Sequence, residues 1–218
     1  MNDNKKQNEI KKAHDKTISS FRYYNDKLNK QDLFISVSCE DYNIKLWNFN
    51  KMELIVNIEK IYSNCFHKAL LKSACFLNDN NQVYILASDN EGFNPVKVFN
   101  FKGELVKDIN ELKNSVIFID VYYDKKSHKN YILISNECYL LSFDYIENKK
   151  KYYKESEVNF CGGYFIFKEK EEIELIESCY DGYARIWNFH SAALLSKIKI
   201  SQNWSQNNEV VNVGEVCI

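Results

Sequence analysis

Two stretches of this chain carry one pattern at one spacing, and that repetition restricts the fold more than any other feature. The first is Ile35-Ser-Val-Ser-Cys-Glu-Asp-Tyr-Asn-Ile-Lys-Leu-Trp-Asn-Phe49, and the second is Ile176-Glu-Ser-Cys-Tyr-Asp-Gly-Tyr-Ala-Arg-Ile-Trp-Asn-Phe189. Both hold Ser-Cys-x-Asp, three residues, a cation, Leu or Ile, and then Trp-Asn-Phe. In both, the aspartate stands six positions before the tryptophan. Apolar and polar residues alternate on either side of a polar turn, the period-two signature of a β-hairpin.

Two weaker copies lie between them. Tyr84-Ile-Leu-Ala-Ser88 leads through a longer turn to Val96-Lys-Val-Phe-Asn-Phe101, and Tyr131-Ile-Leu-Ile-Ser135 leads through a shorter one to Tyr139-Leu-Leu-Ser-Phe-Asp-Tyr145. Phe99 and Phe143 thus hold the tryptophan position, and the marker aromatics Trp47, Phe99, Phe143 and Trp187 stand 52, 44 and 44 positions apart. Flanking segments recur as well. His14 and His67 each precede an aliphatic at +4, a serine at +6 and an aromatic at +9. Behind the markers, Glu53–Ile58, Glu104–Ile109 and Ala193–Ile198 each read as an outer strand. The order is therefore strand a, strand b, turn, strand c with the aromatic, and strand d. A period near ~40 to 45 with four strands per unit marks propeller blades.

On these residues the chain resembles the WD-repeat (WD40) β-propeller family over about residues 14 to 200. The fold class expected is all-β: a propeller of WD40 type with about four four-stranded antiparallel blades, at 14–60, 61–112, 113–156 and 157–200. Residues 1–13 read as a polar leader. Residues 201–218 read as a loop and the first strand of a possible fifth blade, which makes this a partial propeller. The resemblance implies a hydrogen-bonded set in each blade, made by a histidine before strand a, a hydroxyl on strand b, the turn aspartate and the strand-c tryptophan. It assigns His14, Asp41 and Trp47 to the first blade, His67 and Phe99 to the second, Phe143 to the third, and Asp181 and Trp187 to the fourth. Cys39 and Cys179 fall where the hydroxyl is expected, and Ser38 and Ser178 sit one position earlier on the opposite strand face. The sets therefore read as degraded.

Composition narrows the function. A net charge of -1 with only two arginines, Arg22 and Arg185, lacks the electrostatic footprint of a general nucleic-acid binder. No apolar run approaches the ~18 to 20 residues of a membrane span. Seven cysteines without a C-x-x-C pair fit free, reduced thiols rather than a disulfide frame or zinc site. Phe160-Cys-Gly-Gly-Tyr164 matches no phosphate-cradling loop and reads as packed strand. Glu169-Lys-Glu-Glu-Ile-Glu174 reads as a solvated turn between strands a and b.

The function expected is a non-catalytic WD-repeat scaffold mediating protein–protein interaction in an intracellular assembly. The cytoplasm is the expected location, with a cytoskeletal or trafficking assembly as the setting. No catalytic, cofactor-binding or metal-binding residue is assigned. Partners are proteins or peptides, including a second chain that completes the propeller. Turns between strands b and c present Tyr42, Phe93, Tyr180 and Tyr183, aromatics suited to a partner-binding rim. The alternative is an RNA- or RNP-associated propeller using the lysine-rich segments Lys125-Lys-Ser-His-Lys129 and Lys149-Lys-Lys-Tyr-Tyr-Lys154.

Overall fold

A computed structural model of the chain describes residues 10, 12–27, 29–38, 40–59, 71–79, 82–89, 95–112, 116–135, 139–155, 160–168, 172–179 and 181–200. Its sixteen strands form four antiparallel four-stranded sheets, and the described residues contain no helix. Sheet 1 holds β1 (Ile18–Asp26), β2 (Gln31–Ser38), β3 (Asn43–Asn48) and β4 (Glu53–Ile58). Sheet 2 holds β5 (Leu71–Asp79), β6 (Gln82–Asp89), β7 (Val96–Phe99) and β8 (Leu105–Asp108). Sheet 3 holds β9 (Phe118–Asp124), β10 (Lys129–Ser135), β11 (Leu140–Asp144) and β12 (Lys149–Tyr153). Sheet 4 holds β13 (Phe160–Phe167), β14 (Ile173–Cys179), β15 (Tyr183–Asn188) and β16 (Leu194–Lys199). In every sheet the strands pair in chain order, as a meander. Thus the first-to-second and third-to-fourth turns share one end of each sheet, and the second-to-third turn lies at the other.

The chain divides into two compact units, residues 1–113 with sheets 1 and 2, and residues 114–218 with sheets 3 and 4. Within the first unit the central strands supply the core. Leu33, Ile35 and Val37 of β2 and Ile44 and Leu46 of β3 pack with Ala74, Ile85, Ala87 and Phe99 of sheet 2. Within the second unit, Leu133, Leu140 and Tyr153 of sheet 3 pack with Phe165, Leu175, Trp187 and Phe189 of sheet 4. The glycine pair in β13 has its reason here. A Cβ on Gly163 would sit 2.9 Å from the Leu140 side chain and 3.3 Å from the Ile176 carbonyl oxygen. A larger residue at 163 would require the Leu140 side chain and the neighbouring strand to give way.

One feature of the third-to-fourth turns repeats in all four sheets. The residue after each marker aromatic is Asn48, Asn100, Asp144 or Asn188, and its side-chain oxygen accepts from the turn backbone. Asn48 Oδ1 accepts from Lys51 N at 2.9 Å, Asn100 Oδ1 from Lys102 N at 2.9 Å, Asp144 Oδ1 from Glu147 N at 2.9 Å and Asn188 Oδ1 from Ser191 N at 2.8 Å. This is the Asx turn, which gives the chain a local partner for its reversal.

The acidic run 169–174 needs correction at its end. Glu174 is not on a solvated turn: it lies in β14, buried, with Lys168 Nζ 2.6 Å from its carboxylate. Residues 169–171 lie outside the described residues, as do His67, Phe93, Tyr180, Cys39 and the strand expected in 209–218.

Candidate functional site

The first sheet holds a connected polar set, and its hydroxyl is not the one that the sequence singles out. Ser36 lies in β2, fully buried, two residues beyond Phe34, which pairs with Trp47. Trp47 Nε1 donates to Ser36 Oγ at 2.8 Å, and Ser36 Oγ lies 2.8 Å from His14 Nε2. Indole can only donate, so Ser36 Oγ accepts from Trp47 and shares a second hydrogen bond with His14 Nε2. Asp41 Oδ2 lies 3.7 Å from His14 Nδ1, which is buried with no hydrogen-bond partner among the described residues. Asp41 Oδ2 also accepts from the backbone N–H groups of Asp15 and Lys16, at 3.1 and 3.2 Å. Lys45 Nζ donates to the Ala13 carbonyl at 2.7 Å. The effect is to fasten the segment before β1 to the β2–β3 hairpin. Burial, and then Lys45, hold the His14 imidazole below its ordinary pKa, with Asp41 opposing them in part. The expectation of degraded sets built around Ser38 and Cys39 is therefore wrong for sheet 1. Ser38 Oγ instead accepts the Asp41 N–H at 3.4 Å, inside the turn.

The other sheets follow the same register with different chemistry at the Ser36 place. In sheet 2, Ile85 pairs with Phe99, and Ala87 stands two residues on, opposite Lys97. In sheet 3, Ile132 pairs with Phe143, and Ile134 stands two residues on, opposite Leu141. Phenylalanine has no N–H to satisfy, so an apolar partner in the hydroxyl position strands no polar group. In these two sheets packing replaces the hydroxyl-to-indole bond at this place.

Sheet 4 departs from sheet 1 in a way its sequence conceals. In β14–β15, Leu175 pairs with Trp187, so Glu177 takes the Ser36 place opposite Arg185. Alignment of the shared Ser-Cys-x-Asp would put Ile176 there. The cause is the turn. Four residues lie between the last paired residues of β2 and β3, Ser38 and Asn43, with Tyr42 at φ 56°, whereas five lie between those of β14 and β15, Ser178 and Ala184, with Gly182 at φ 80°. A shift of one residue in pairing turns every side chain of a strand to its other face.

The consequence is a buried ionic cluster. Arg185, 1% exposed, donates to Asp181 Oδ1 and Oδ2 at 3.2 and 2.5 Å and to Glu155 Oε2 at 2.6 Å. Glu177, equally buried, has Oε1 3.9 Å from Arg185 Nε and accepts from Cys179 Sγ at 3.5 Å. Glu177 Oε2 and Trp187 Nε1 are buried with no hydrogen-bond partner among the described residues. Burial pushes the Glu177 carboxyl up to about 7, against the lowering pull of the nearby indole, thiol and guanidinium. Burial pushes the Cys179 thiol up as well, the reverse of a reactive thiolate. Tyr183, expected on a binding rim, is half-buried, with Lys197 Nζ 4.8 Å and the Arg185 guanidinium 5.9 Å from its ring centre. Tyr42 is half-buried in its turn.

The lysine-rich segments divide. Lys149 pairs with Glu147 at 2.6 Å, and Lys129 binds both Asp144 and Glu147. Lys151 Nζ donates to the His190 carbonyl at 2.7 Å, and the buried Tyr153 hydroxyl donates to the Phe189 carbonyl at 2.9 Å. These side chains hold sheet 3 together and to sheet 4. Lys125 and Lys126 also line a cleft of about 620 Å³ with Val121, Tyr122, Tyr123, Asp124, Phe167, Ile173 and His190. The cleft opens at the end of sheets 3 and 4 opposite the β14–β15 turn.

Among the described residues no group of three or more His, Cys, Asp or Glu side chains is arranged to hold a metal ion, and no helix is long and apolar enough to cross a membrane. Cys75 and Cys179 are free, buried thiols. Compared with models of known protein families and with curated proteins, the chain matches none.

Proposed function

We propose that this chain is a WD-repeat-like β-propeller module acting as a non-catalytic scaffold for protein–protein interaction in the cytoplasm. One observation carries the reading: the repeated polar residues are engaged with one another and with the segments next to their hairpins. His14, Ser36, Asp41 and Trp47 form one connected set, and Asp181, Arg185, Glu155 and Glu177 form another. A catalytic His-Asp pair needs an open third position for a nucleophile or substrate. Here His14 Nε2 meets the buried Ser36 hydroxyl, whose oxygen already accepts from an indole. The sets act as fasteners, and the surfaces between hairpins are what the fold leaves for partners. That sheet-forming repeats present binding surfaces is an argument from architecture.

The experiment is in-cell cross-linking of the tagged full chain, with quantitative mass spectrometry and a parallel arm treated with ribonuclease. A reproducible set of cross-linked proteins that survives ribonuclease supports the scaffold reading. Loss of that set with ribonuclease moves the chain to an RNP. Turnover by the purified chain that disappears in Asp41→Asn would make it an enzyme.

A further inference from the structure

Within each unit one sheet lies on the next in the same way, and the register shows which side chains meet. The residues in line with the marker are Tyr23 and Phe34 with Trp47 in sheet 1, Phe76 and Ile85 with Phe99 in sheet 2, and Phe165 and Leu175 with Trp187 in sheet 4. With Phe49, Phe101 and Phe189, two positions past each marker, they form the leading face of their sheet. In sheets 2 and 4 the sheet before covers that face. Tyr24 of β1 stacks on Phe76 at 5.0 Å, and Tyr122 of β9, at the equivalent place, meets Phe165 at 5.5 Å. Phe165 and Phe189 are accordingly 8% and 2% exposed.

Sheet 1 carries the same leading face uncovered. Its rings touch one another, with Phe21 4.9 Å and Trp47 5.8 Å from Phe34, and Tyr23 5.8 Å from Phe49. Yet Tyr23 is 55% and Phe49 45% exposed. The trailing face of sheet 4 is the complement. The fourth-strand residue paired three positions before the marker is Ile58 in sheet 1, Tyr153 in sheet 3 and Ile198 in sheet 4. Ile58 and Tyr153 are buried in the cores that they share with the following sheet, whereas Ile198 is 50% exposed. Ile166 of β13 holds the place that Tyr24 and Tyr122 hold in sheets 1 and 3, the one that meets the next sheet's first strand. Contiguous exposed apolar side chains of this kind mark an interaction surface.

The chain thus owns both halves of one contact, and in a single copy Tyr23, Phe49 and Ile198 stand in water. Contacts between two different faces either close a ring or run on as a fibre. Four sheets in each of two copies make eight, the upper end of the ~4 to 8 blades of propellers, so closure falls at two. We propose that two copies of this chain join head to tail, the leading face of sheet 1 in each (Phe21, Tyr23 and Phe49) packing on the trailing face of sheet 4 in the other (Ile166 and Ile198). The proposal rests on the propeller part of the reading above and names one partner of the scaffold, the chain itself.

The test is the sedimentation-equilibrium mass of the full-length chain over a concentration series. The expected mass is twice the 25.8 kDa of one chain. Tyr23→Lys, Ile166→Glu and Ile198→Lys should each weaken the dimer about tenfold or more. An equimolar mixture of the Tyr23→Lys and Ile166→Glu chains should recover it. One of its two interfaces sets the introduced lysine against the introduced glutamate, and the other is wild type on both sides. Unfolded chains cannot complement in this way, and circular dichroism checks that the sheets persist. A monomer at every concentration would overturn the proposal, as would a dimer that all three substitutions leave unchanged, a mixture that stays monomeric, or growth into fibres. Any of these would leave the scaffold reading to the ribonuclease-resistant cross-links with other proteins, while loss of those cross-links with the dimer intact would overturn the scaffold alone.

Discussion

Ser36→Ala would remove the oxygen on which the first sheet's polar set turns, and the structure sets the size of the effect. Trp47 Nε1–H loses its acceptor at 2.8 Å and His14 Nε2 its partner at 2.8 Å, both in a buried setting. Each polar group left unpaired costs about 1 to 3 kcal/mol, so the pair should cost about 3 kcal/mol. Ser38→Ala is the matched control. Its hydroxyl receives one long bond, 3.4 Å from Asp41 N, and its loss should cost about 0.5 to 1 kcal/mol. Because the chain folds as two compact units, a single global transition is a poor readout. NMR-detected hydrogen exchange of the Trp47 indole reports on the right hairpin. For Ser36→Ala its protection should fall about a hundredfold, since each 1.4 kcal/mol is a factor of ten. For Ser38→Ala it should fall less than about fivefold. Equal losses in the two variants, or a Ser36→Ala loss below about 0.5 kcal/mol, would refute the assignment of Ser36 as the shared partner of Trp47 and His14.

Four further outcomes follow from the same geometry. His14 is held below its ordinary pKa by burial, so the unfolded chain takes up its proton first. Stability of the first unit should therefore fall as pH drops below about 6.5 and level off below the folded-state pKa, a slope that His14→Gln should reduce in urea titrations. Glu177 works in the opposite sense. Its folded pKa of about 7 exceeds the unfolded 4.5, so its contribution is fully present below pH 4.5 and is lost as pH rises to about 7; Glu177→Gln should flatten that slope in the second unit. Arg185→Met should destabilise the second unit by about 3 kcal/mol in denaturant unfolding, the lower end for a broken buried pair because Asp181 and Glu155 keep about a third of their exposure. Gly163→Ala should cost about 1 to 3 kcal/mol through the 2.9 Å approach to Leu140, while Gly162→Ala, whose nearest new neighbour is Phe118 at 3.8 Å, should be close to neutral in the same thermal scan.

The four-sheet pattern was legible because its causes are local. Alternation along a strand needs only a period of two, and the marker aromatics recur wherever a sheet recurs. The roles of Asn48, Asn100, Asp144 and Asn188 are local as well, since Asx-turn chemistry acts within a few residues. The surroundings of Tyr183 were not legible: nothing near it in the chain announces that Lys197, fourteen residues on, will stand over its ring.

The strand periodicity, the hairpins and the repeat of four-stranded units were determined by the sequence alone, as properties of neighbours along the chain. Which side chain completes each polar set was decided only in three dimensions. Sheets 1 and 4 share Ser-Cys-x-Asp and the same aspartate-to-tryptophan spacing, yet Ser36 fills the place in one and Glu177 in the other. A five-residue connection with glycine at positive φ pairs its strands one residue out of step with a four-residue connection. That single step exchanges a hydroxyl for a carboxylate, and a polar set centred on Ser36 for a buried ionic cluster around Arg185.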